Sequence, residues 1–330
     1  MSTTAPTRTL RLGHSPDPDD AFMWWPLANF TAPDGTRHTP QIDTAGYAFE
    51  HLLEDIESLN QRSAKAELEI TALSIHQYAH VADQYALTTC GASMGDGYGP
   101  MIVAAKPMSV DEVLGRVAEA GSGEKLRVAV PGWRTSAWLS TQLKMIELGL
   151  DPTSQLLEQI EGNTLVAAGV TFEAVPFDEI IPSVTSGKFD AGIIIHEGQI
   201  TYADEGMHLV EDLGKWWCDS RGLPLPLGGN AIRRDLVDAG EGPTIARVLL
   251  DSITHALENR QEAVSFAMQW GRGLDRGLAD RFVGMYVNDR TLDYGDEGRA
   301  AVERMLREAA DAGLVPGDGK AEFIAPGPPR

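Results

Sequence analysis

The chain is predicted to fold as an α/β protein of two domains, each built from alternating strands and helices. Its 330 residues are too many for one ordinary core and favour about two domains. Short apolar runs between turn residues, such as Leu126–Val130, alternate with segments of helical spacing, such as residues 136–149. Polar residues follow several of these runs, where open α/β sheets bind ligands.

The first half opens with a predicted strand at Leu10–Gly13, a polar loop that contains Ser15, and a helix over residues 21–30. A segment of helical spacing over residues 52–62 includes Asn60. The next predicted strand, Leu68–Ala72, ends in Leu73 and Ser74 and is followed by another helix. The sequence therefore predicts a hydroxyl group at a strand's carboxyl end.

A second strand end lies after Leu126–Val130, where Thr135 and Ser136 begin an amphipathic helix. Two hydroxyls and the first backbone N–H groups of a helix form an anion site that suits a carboxylate. Ordinary helix capping explains the same two residues equally well. Both interpretations stay open on the sequence alone.

A third strand end is the most informative stretch, because Ile193–Ile195 stops abruptly at His196 and Glu197. An imidazole with a pKa near 6.5 is the side chain best suited to accept a proton at neutral pH. Glu197 would hold the imidazole tautomer or bind a hydroxyl group. The alternative is a structural histidine that happens to end a strand.

The order of these segments predicts that the chain leaves one domain and returns to it. We expect residues 1–107 and 223–330 to form a larger discontinuous domain and residues 108–222 a smaller inserted one. Helices over residues 243–312 should pack on the larger domain, and residues after Pro316 should form a tail. This is the architecture of the type II periplasmic-binding-protein-like fold, with a cleft between the domains.

Composition narrows the classes of partner. The formal net charge of −21 disfavours nucleic acid and anionic membranes but leaves a small anionic substrate open. No secretory signal or apolar run of membrane-spanning length is present, so a cytoplasmic protein is expected.

Cys90 and Cys218 are isolated and indicate neither a disulfide nor a cysteine metal site. His76 and His80 share a helix face but lack a third ligand, so no metal is expected.

Several words of the sequence occur together in one known family. They are SPDPDDAFM at residues 15–23, IESLN at 56–60, ALSIHQY at 72–78, GYGP at 97–100, PGWRTSA at 131–137, IIHEGQITY at 194–202, and LGKWW with LPLPLGG within 213–229. In this order they resemble the 1,4-dihydroxy-6-naphthoate synthases of the futalosine route to menaquinone. The resemblance covers most of residues 10–236.

The resemblance implies a carbon–carbon lyase without metal or organic cofactor that releases 1,4-dihydroxy-6-naphthoate from cyclic dehypoxanthine futalosine. It implies that His196 accepts the proton. It also implies substrate contacts at residues 72–74 (Ala72, Leu73 and Ser74) and at Thr135 and Ser136, and we add Asn60 and Glu197 as candidates.

Family members often have SPCPND where this chain has SPDPDD, so aspartates stand in place of a cysteine and an asparagine and add negative charge here. Two alternatives share the fold: a chorismate dehydratase-like enzyme of the same pathway and a non-catalytic small-molecule binding protein. A homodimer is compatible with the sequence.

Overall fold

The computed structural model describes residues 8–31, 35–118, 124–155, 158–160, 163–270 and 275–329. The chain divides into two compact units. Unit 1 comprises Met1–Met94, Gly228–Val302 and Lys320–Arg330, and unit 2 comprises Gly95–Leu227 and Glu303–Gly319. The prediction of a two-domain α/β protein is confirmed. Strands and helices are numbered below in chain order.

The first sheet has the strand order β14-β4-β13-β3-β1-β2, and β5 also pairs with β13. Its strands are β1 (Arg8–His14), β2 (Tyr47–Leu53), β3 (Ile70–Ser74), β4 (Tyr85–Thr88), β5 (Ser93–Gly95), β13 (Leu225–Arg233) and β14 (Phe323–Ile324). Strand β1 is parallel to β2 and β3, whereas β13 is antiparallel to β3. The carboxyl ends of β1, β2 and β3 therefore lie at one edge of the sheet.

Helices cover this sheet and supply the core of unit 1. They are α1 (Pro18–Trp24), α2 (Ile56–Ser63), α3 (Ile75–Val81), α10 (Arg234–Asp238), α11 (Gly242–Glu258), α12 (Arg260–Ala267), α13 (Arg276–Tyr286) and α14 (Asp289–Leu292). Helix α11 turns Val248, Leu249 and Ile253 inward with the spacing the sequence predicts. They join Leu10 of β1 and Phe22 of α1 in one buried cluster.

The second sheet has the strand order β12-β6-β11-β7-β10-β9-β8. Its strands are β6 (Met101–Ala104), β7 (Leu126–Val130), β8 (Glu158–Ile160), β9 (Thr164–Val166), β10 (Val170–Ala174), β11 (Ala191–Ile194) and β12 (His208–Asp212). Strand β7 pairs in parallel with both β10 and β11. These three neighbouring strands position the candidate site of unit 2.

The helices of unit 2 follow its strands. They are α4 (Val110–Leu114), α5 (Ser136–Glu147), α6 (Pro152–Gln155), α7 (Ile180–Thr185), α8 (Gly198–Thr201) and α9 (Leu213–Arg221). Val103, Ala129, Ile180, Val184 and Ile194 form a buried cluster between the sheet and α7. Within the described ranges, no helix combines the length and apolar character that crossing a membrane requires.

The domain boundaries and one helix differ from the sequence predictions. The chain enters unit 2 at Gly95 and leaves it after Leu227, because β6 pairs with β11 and β12 in the second sheet. The predicted domain boundaries at 107/108 and 222/223 therefore differ from this division. The segment 52–62 is not one helix: β2 extends to Leu53, and Asp55 caps α2 by accepting the N–H groups of Glu57 and Ser58.

The C-terminal region also departs from expectation. The predicted tail contains β14, which pairs in parallel with β4, so Phe323 and Ile324 complete the first sheet. The last long helix, α15 (Gly295–Asp311), begins in unit 1 and continues into unit 2. In unit 2, Arg221 forms an ion pair with Glu308 of this helix. The helices over residues 243–312 thus pack mainly, but not entirely, with unit 1.

Candidate active site

The site of unit 2 lies where three parallel strands end side by side. Thr135 follows β7, Phe177 follows β10, and His196 follows β11. Since β7 lies between its two parallel partners, these carboxyl ends share one edge of the sheet. Within unit 2, the predicted site residues Thr135 and His196 therefore lie at one sheet edge, together with Phe177, which the sequence analysis did not single out.

His196 has an unusual backbone conformation. Its φ is 59°, in the left-handed region, which non-glycine residues adopt at a cost of about 1–3 kcal/mol. The turn is closed by the Gln199 N–H, which donates to the His196 carbonyl oxygen over 3.1 Å. Strained residues of this kind concentrate at functional sites. Ala45 and Ala66 adopt the same conformation in turns, with φ of 60° and 51°, so the backbone at His196 is compatible with a functional histidine and with a structural one.

Phe177 lies directly against the imidazole of His196. The two ring centroids are 4.1 Å apart, with an angle of 58° between the ring planes. Both side chains are half-buried, and Phe177 also packs against the apolar cluster of unit 2. The sequence did contain a signal for Phe177, because an aromatic residue that follows a predicted strand end lies at the same sheet edge as His196. The contact between the two rings has no local signature.

The start of α5 combines a helix cap with a candidate anion site. Thr135 Oγ1 accepts the Trp138 N–H over 3.2 Å and donates to the Gly132 carbonyl oxygen over 2.8 Å. Ser136 Oγ donates to the Leu227 carbonyl oxygen over 2.6 Å. The helix-capping interpretation of Thr135 is therefore confirmed. Carboxylate binding here would draw on the backbone N–H groups and partial positive charge of the first helical turn.

Glu197 directly precedes α8 and is half-buried. Its carbonyl oxygen accepts the N–H groups of Ile200 over 2.8 Å and Thr201 over 3.2 Å. The backbone of Glu197 thus starts the short helix that holds the His196 turn in place. Its predicted role as a tautomer-fixing or hydroxyl-binding group stays a prediction.

Asn60 and Ser74 form a reciprocal pair in unit 1. Asn60 Oδ1 accepts the Ser74 N–H over 2.9 Å, and Asn60 Nδ2 donates to Ser74 Oγ over 3.1 Å. Both side chains are buried. Because Ser74 Oγ accepts from Asn60, its own hydrogen can be donated elsewhere, which suits a substrate oxygen. Asn60 thus orients the hydroxyl that the sequence places at the carboxyl end of β3.

The neighbouring residues Ala72 and Leu73 lie within β3 itself. Their side chains are 7% and 0% exposed, and both residues pair with β13, opposite Asn230 and Gly229 respectively. A fully buried leucine side chain cannot reach a ligand outside the core. Any contact that Leu73 makes with substrate must therefore come from its backbone.

The carboxylates of the SPDPDD word are directed at Ser15. Ser15 Oγ donates to Asp17 Oδ2 over 2.8 Å, and the Ser15 N–H donates to Asp20 Oδ2 over 2.8 Å. Asp17 precedes α1 and Asp20 lies in its first turn, where negative charge is stabilised by the helix dipole. The two aspartates therefore have a structural role in fixing the loop between β1 and α1.

Two linked histidines lie beside this loop. His14 Nδ1 lies 2.8 Å from the Ser15 carbonyl oxygen and must donate to it, because a carbonyl oxygen only accepts. In the neutral ring, His14 Nε2 is then the acceptor, and His51 Nδ1 donates to it over 3.0 Å. Burial, reinforced by the neighbouring His51, lowers the pKa of His14 to about 3. Burial likewise lowers the pKa of His51 to about 4. Both rings are neutral at neutral pH.

His76 and His80 lie on α3 with their ring centroids 5.5 Å apart. Across the described part of the chain, no group of three or more His, Cys, Asp and Glu side chains is arranged to hold a metal ion. Cys90 is buried, and burial raises the pKa of its thiol to about 12. Cys90 therefore behaves as a small apolar residue.

The chain matches known proteins over almost its whole length. A family model described as menaquinone biosynthesis matches residues 10–155 and 148–311. The chain belongs to this menaquinone biosynthesis family. Two relatives named 1,4-dihydroxy-6-naphthoate synthase support the assignment. The Thermus thermophilus protein is 34% identical over 96% of this chain and 99% of its own length, and the Streptomyces coelicolor protein is 32% identical over the same shares.

Solved structures agree with the fold. A crystal structure of a protein from Archaeoglobus fulgidus has a TM-score of 0.74 and 39% identity, covering 93% of this chain and 98% of that one. A ligand-binding component of an import system from Staphylococcus aureus has a TM-score of 0.63 at 10% identity, covering 96% and 97%. The second likeness shows the fold alone and confirms the periplasmic-binding-protein-like prediction.

Proposed function

We propose that this chain is a carbon–carbon lyase that converts cyclic dehypoxanthine futalosine to 1,4-dihydroxy-6-naphthoate in menaquinone biosynthesis. The observation that carries the proposal is the full-length relationship to proteins named 1,4-dihydroxy-6-naphthoate synthase. The HEG word of this family falls at the end of β11, where His196 has the left-handed backbone described above. A cytoplasmic location fits a biosynthetic enzyme and is proposed with it.

In the proposed reaction, the neutral imidazole of His196 accepts a proton from the sugar-derived part of the substrate. The electron pair left by the proton forms a new double bond within the sugar-derived fragment as the carbon–carbon bond to the ring system breaks. The pair from the broken bond enters the rings, and the resulting anion is then protonated. Formation of the aromatic naphthalene drives the cleavage. The step needs no redox partner, because the electrons lost by one fragment are retained by the other.

We propose two substrate-binding groups, one in each unit. In unit 2, the start of α5 at Thr135 and Ser136 binds the substrate carboxylate, and Glu197 assists His196 or binds a hydroxyl group. In unit 1, Ser74 donates a hydrogen bond to substrate and is oriented by Asn60. Ala72 and Leu73 would contribute through the backbone of β3. The substrate is a small anion, and neither nucleic acid nor a membrane is a proposed partner.

The test is incubation of the purified protein with cyclic dehypoxanthine futalosine, with naphthoate release followed by chromatography. The His196→Asn variant removes the base but keeps a residue that tolerates the left-handed region. We expect its kcat to fall about 10²–10⁴-fold, the usual contribution of a general base. His208→Gln is the matched control, since His208 is an exposed histidine of unit 2 on β12.

The possible outcomes of this assay distinguish the proposed function from the proposed role of His196 as base. Product from the wild type and from His208→Gln, but not from His196→Asn, supports the function and the base. Equal rates for His196→Asn and the wild type would show that His196 is not the base. No product from the wild type, together with tight substrate binding, would favour a binding protein of the same fold.

A further inference from the structure

The ring contact between Phe177 and His196 joins two loops that follow different strands. Phe177 comes from the loop after β10 and His196 from the turn after β11, with β7 between those strands. The 4.1 Å separation of the ring centroids places the two rings in van der Waals contact. The contact is tertiary, and it involves the one side chain to which the proposed reaction assigns the proton transfer.

The backbone on the Phe177 side of the contact is held firmly. Val175 N–H donates to the Val130 carbonyl oxygen of β7 over 3.0 Å, which ties the loop to the neighbouring strand. Phe177 then begins a 3₁₀ turn, Phe177–Glu179, in which its carbonyl oxygen accepts the Ile180 N–H. Ile180 itself is fully buried in the core of unit 2. These hydrogen bonds therefore fix the backbone that carries the phenyl ring.

The imidazole needs such a support. The terminal torsion of a histidine side chain is broad, so the backbone alone leaves the ring free to rotate. A general base must present one nitrogen lone pair within hydrogen-bond reach of the proton that it removes. Misplacement of a reacting group by about 1 Å can lower the rate about 10²-fold. A ring packed against the imidazole limits that rotation.

We propose that Phe177 is a positioning residue for His196, holding the imidazole plane in the orientation for proton abstraction. The proposal rests on the function proposed above. The phenyl ring makes no chemical step; it acts by restricting the imidazole. A purely structural Phe177 would fill the edge of the apolar cluster, and its loss would lower stability without changing the turnover of the folded enzyme.

The experiment compares Phe177→Leu, which keeps an apolar side chain without the ring, with Phe177→Tyr, which restores an aromatic ring. The matched control is Phe189→Leu, because Phe189 is buried in the same apolar cluster of unit 2. We expect kcat of Phe177→Leu to fall about 10-fold or more, with KM within about 2-fold of the wild type. Phe177→Tyr should recover most of kcat, and Phe189→Leu should change stability but not kcat.

A second measurement tests the same claim by coupling. In the His196→Asn background, Phe177→Leu should cause no further loss of kcat, since there is no imidazole left to position. Losses that multiply in the double variant would overturn the proposal. A folded Phe177→Leu variant whose kcat equals that of the wild type would also overturn the proposal. Turnover by the wild type would still support the proposed function in that case.

A third measurement does not depend on turnover. The ring current of Phe177 should displace the His196 ring-proton resonances, and Phe177→Leu should abolish that displacement while Phe177→Tyr keeps it. Absence of the displacement in the wild type would overturn the proposal. Absence of naphthoate release from the wild type would overturn both this proposal and the proposed function, which distinguishes that failure from a failure of the positioning role alone.

Discussion

The ion-paired carboxylate of Glu69 in unit 1 gives a prediction whose magnitude follows from the structure. Its two oxygens accept from the Arg11 backbone N–H over 3.0 Å, from Arg11 Nε and Nη2 over 2.8 Å each, and from Arg233 Nη1 over 3.0 Å. Burial tends to raise the pKa of Glu69, but the hydrogen bonds and charges of the two arginines outweigh it and lower the pKa to about 2.

The lowered pKa corresponds to a stabilising free energy. From the ordinary value of 4.5 to about 2, at ~1.4 kcal/mol per unit, the gain is about 3 kcal/mol. Because the Arg11 side chain is 40% exposed, solvent screening reduces this to about 2 kcal/mol. The folded-state pKa lies below the unfolded one, so the stabilisation is complete above pH 4.5 and is lost as the pH falls towards 2.

The assay is urea unfolding of the wild type and Glu69→Gln between pH 7 and pH 3. The difference in the free energy of unfolding should be about 2 kcal/mol at pH 7 and shrink below pH 4.5, since protonated Glu69 resembles glutamine. The control is Glu297→Gln, whose ion pair with Arg290 has a glutamate 68% exposed and should contribute less than about 0.5 kcal/mol. A difference for Glu69→Gln that does not vary with pH would refute the reasoning.

Two further substitutions test the site and its support. Asn60→Ala leaves the buried Ser74 N–H without its acceptor, so the free energy of unfolding should fall by about 1–3 kcal/mol. KM for the substrate should rise, and an unchanged KM would contradict the orienting role of Asn60. Gly214→Ala would bring a Cβ within 1.9 Å of the Tyr98 carbonyl oxygen and should cost about 1–3 kcal/mol or more in thermal unfolding. Gly115→Ala should be near neutral, since among the described residues nothing beyond its immediate neighbours lies within 4 Å of the added Cβ.

Much of the site was predictable because its signals are local. The apolar run of β3 ends at Ser74, and those of β7 and β11 are followed within five residues by Thr135 and His196. The helix cap at Thr135 follows from residue type and position. The family words carried the assignment to the menaquinone biosynthesis family, which the family match confirms.

The sequence by itself therefore determined the strands β3, β7 and β11, the two-domain α/β class and the candidate histidine, since each depends on residues close together in the chain. Only the tertiary structure decided that β6 belongs to the second sheet, that β14 closes the first, and that Phe177 lies against His196. These features depend on hydrogen bonds and packing between segments far apart in sequence. Local periodicity does not encode such partners, because many strand pairings and loop contacts satisfy the same pattern.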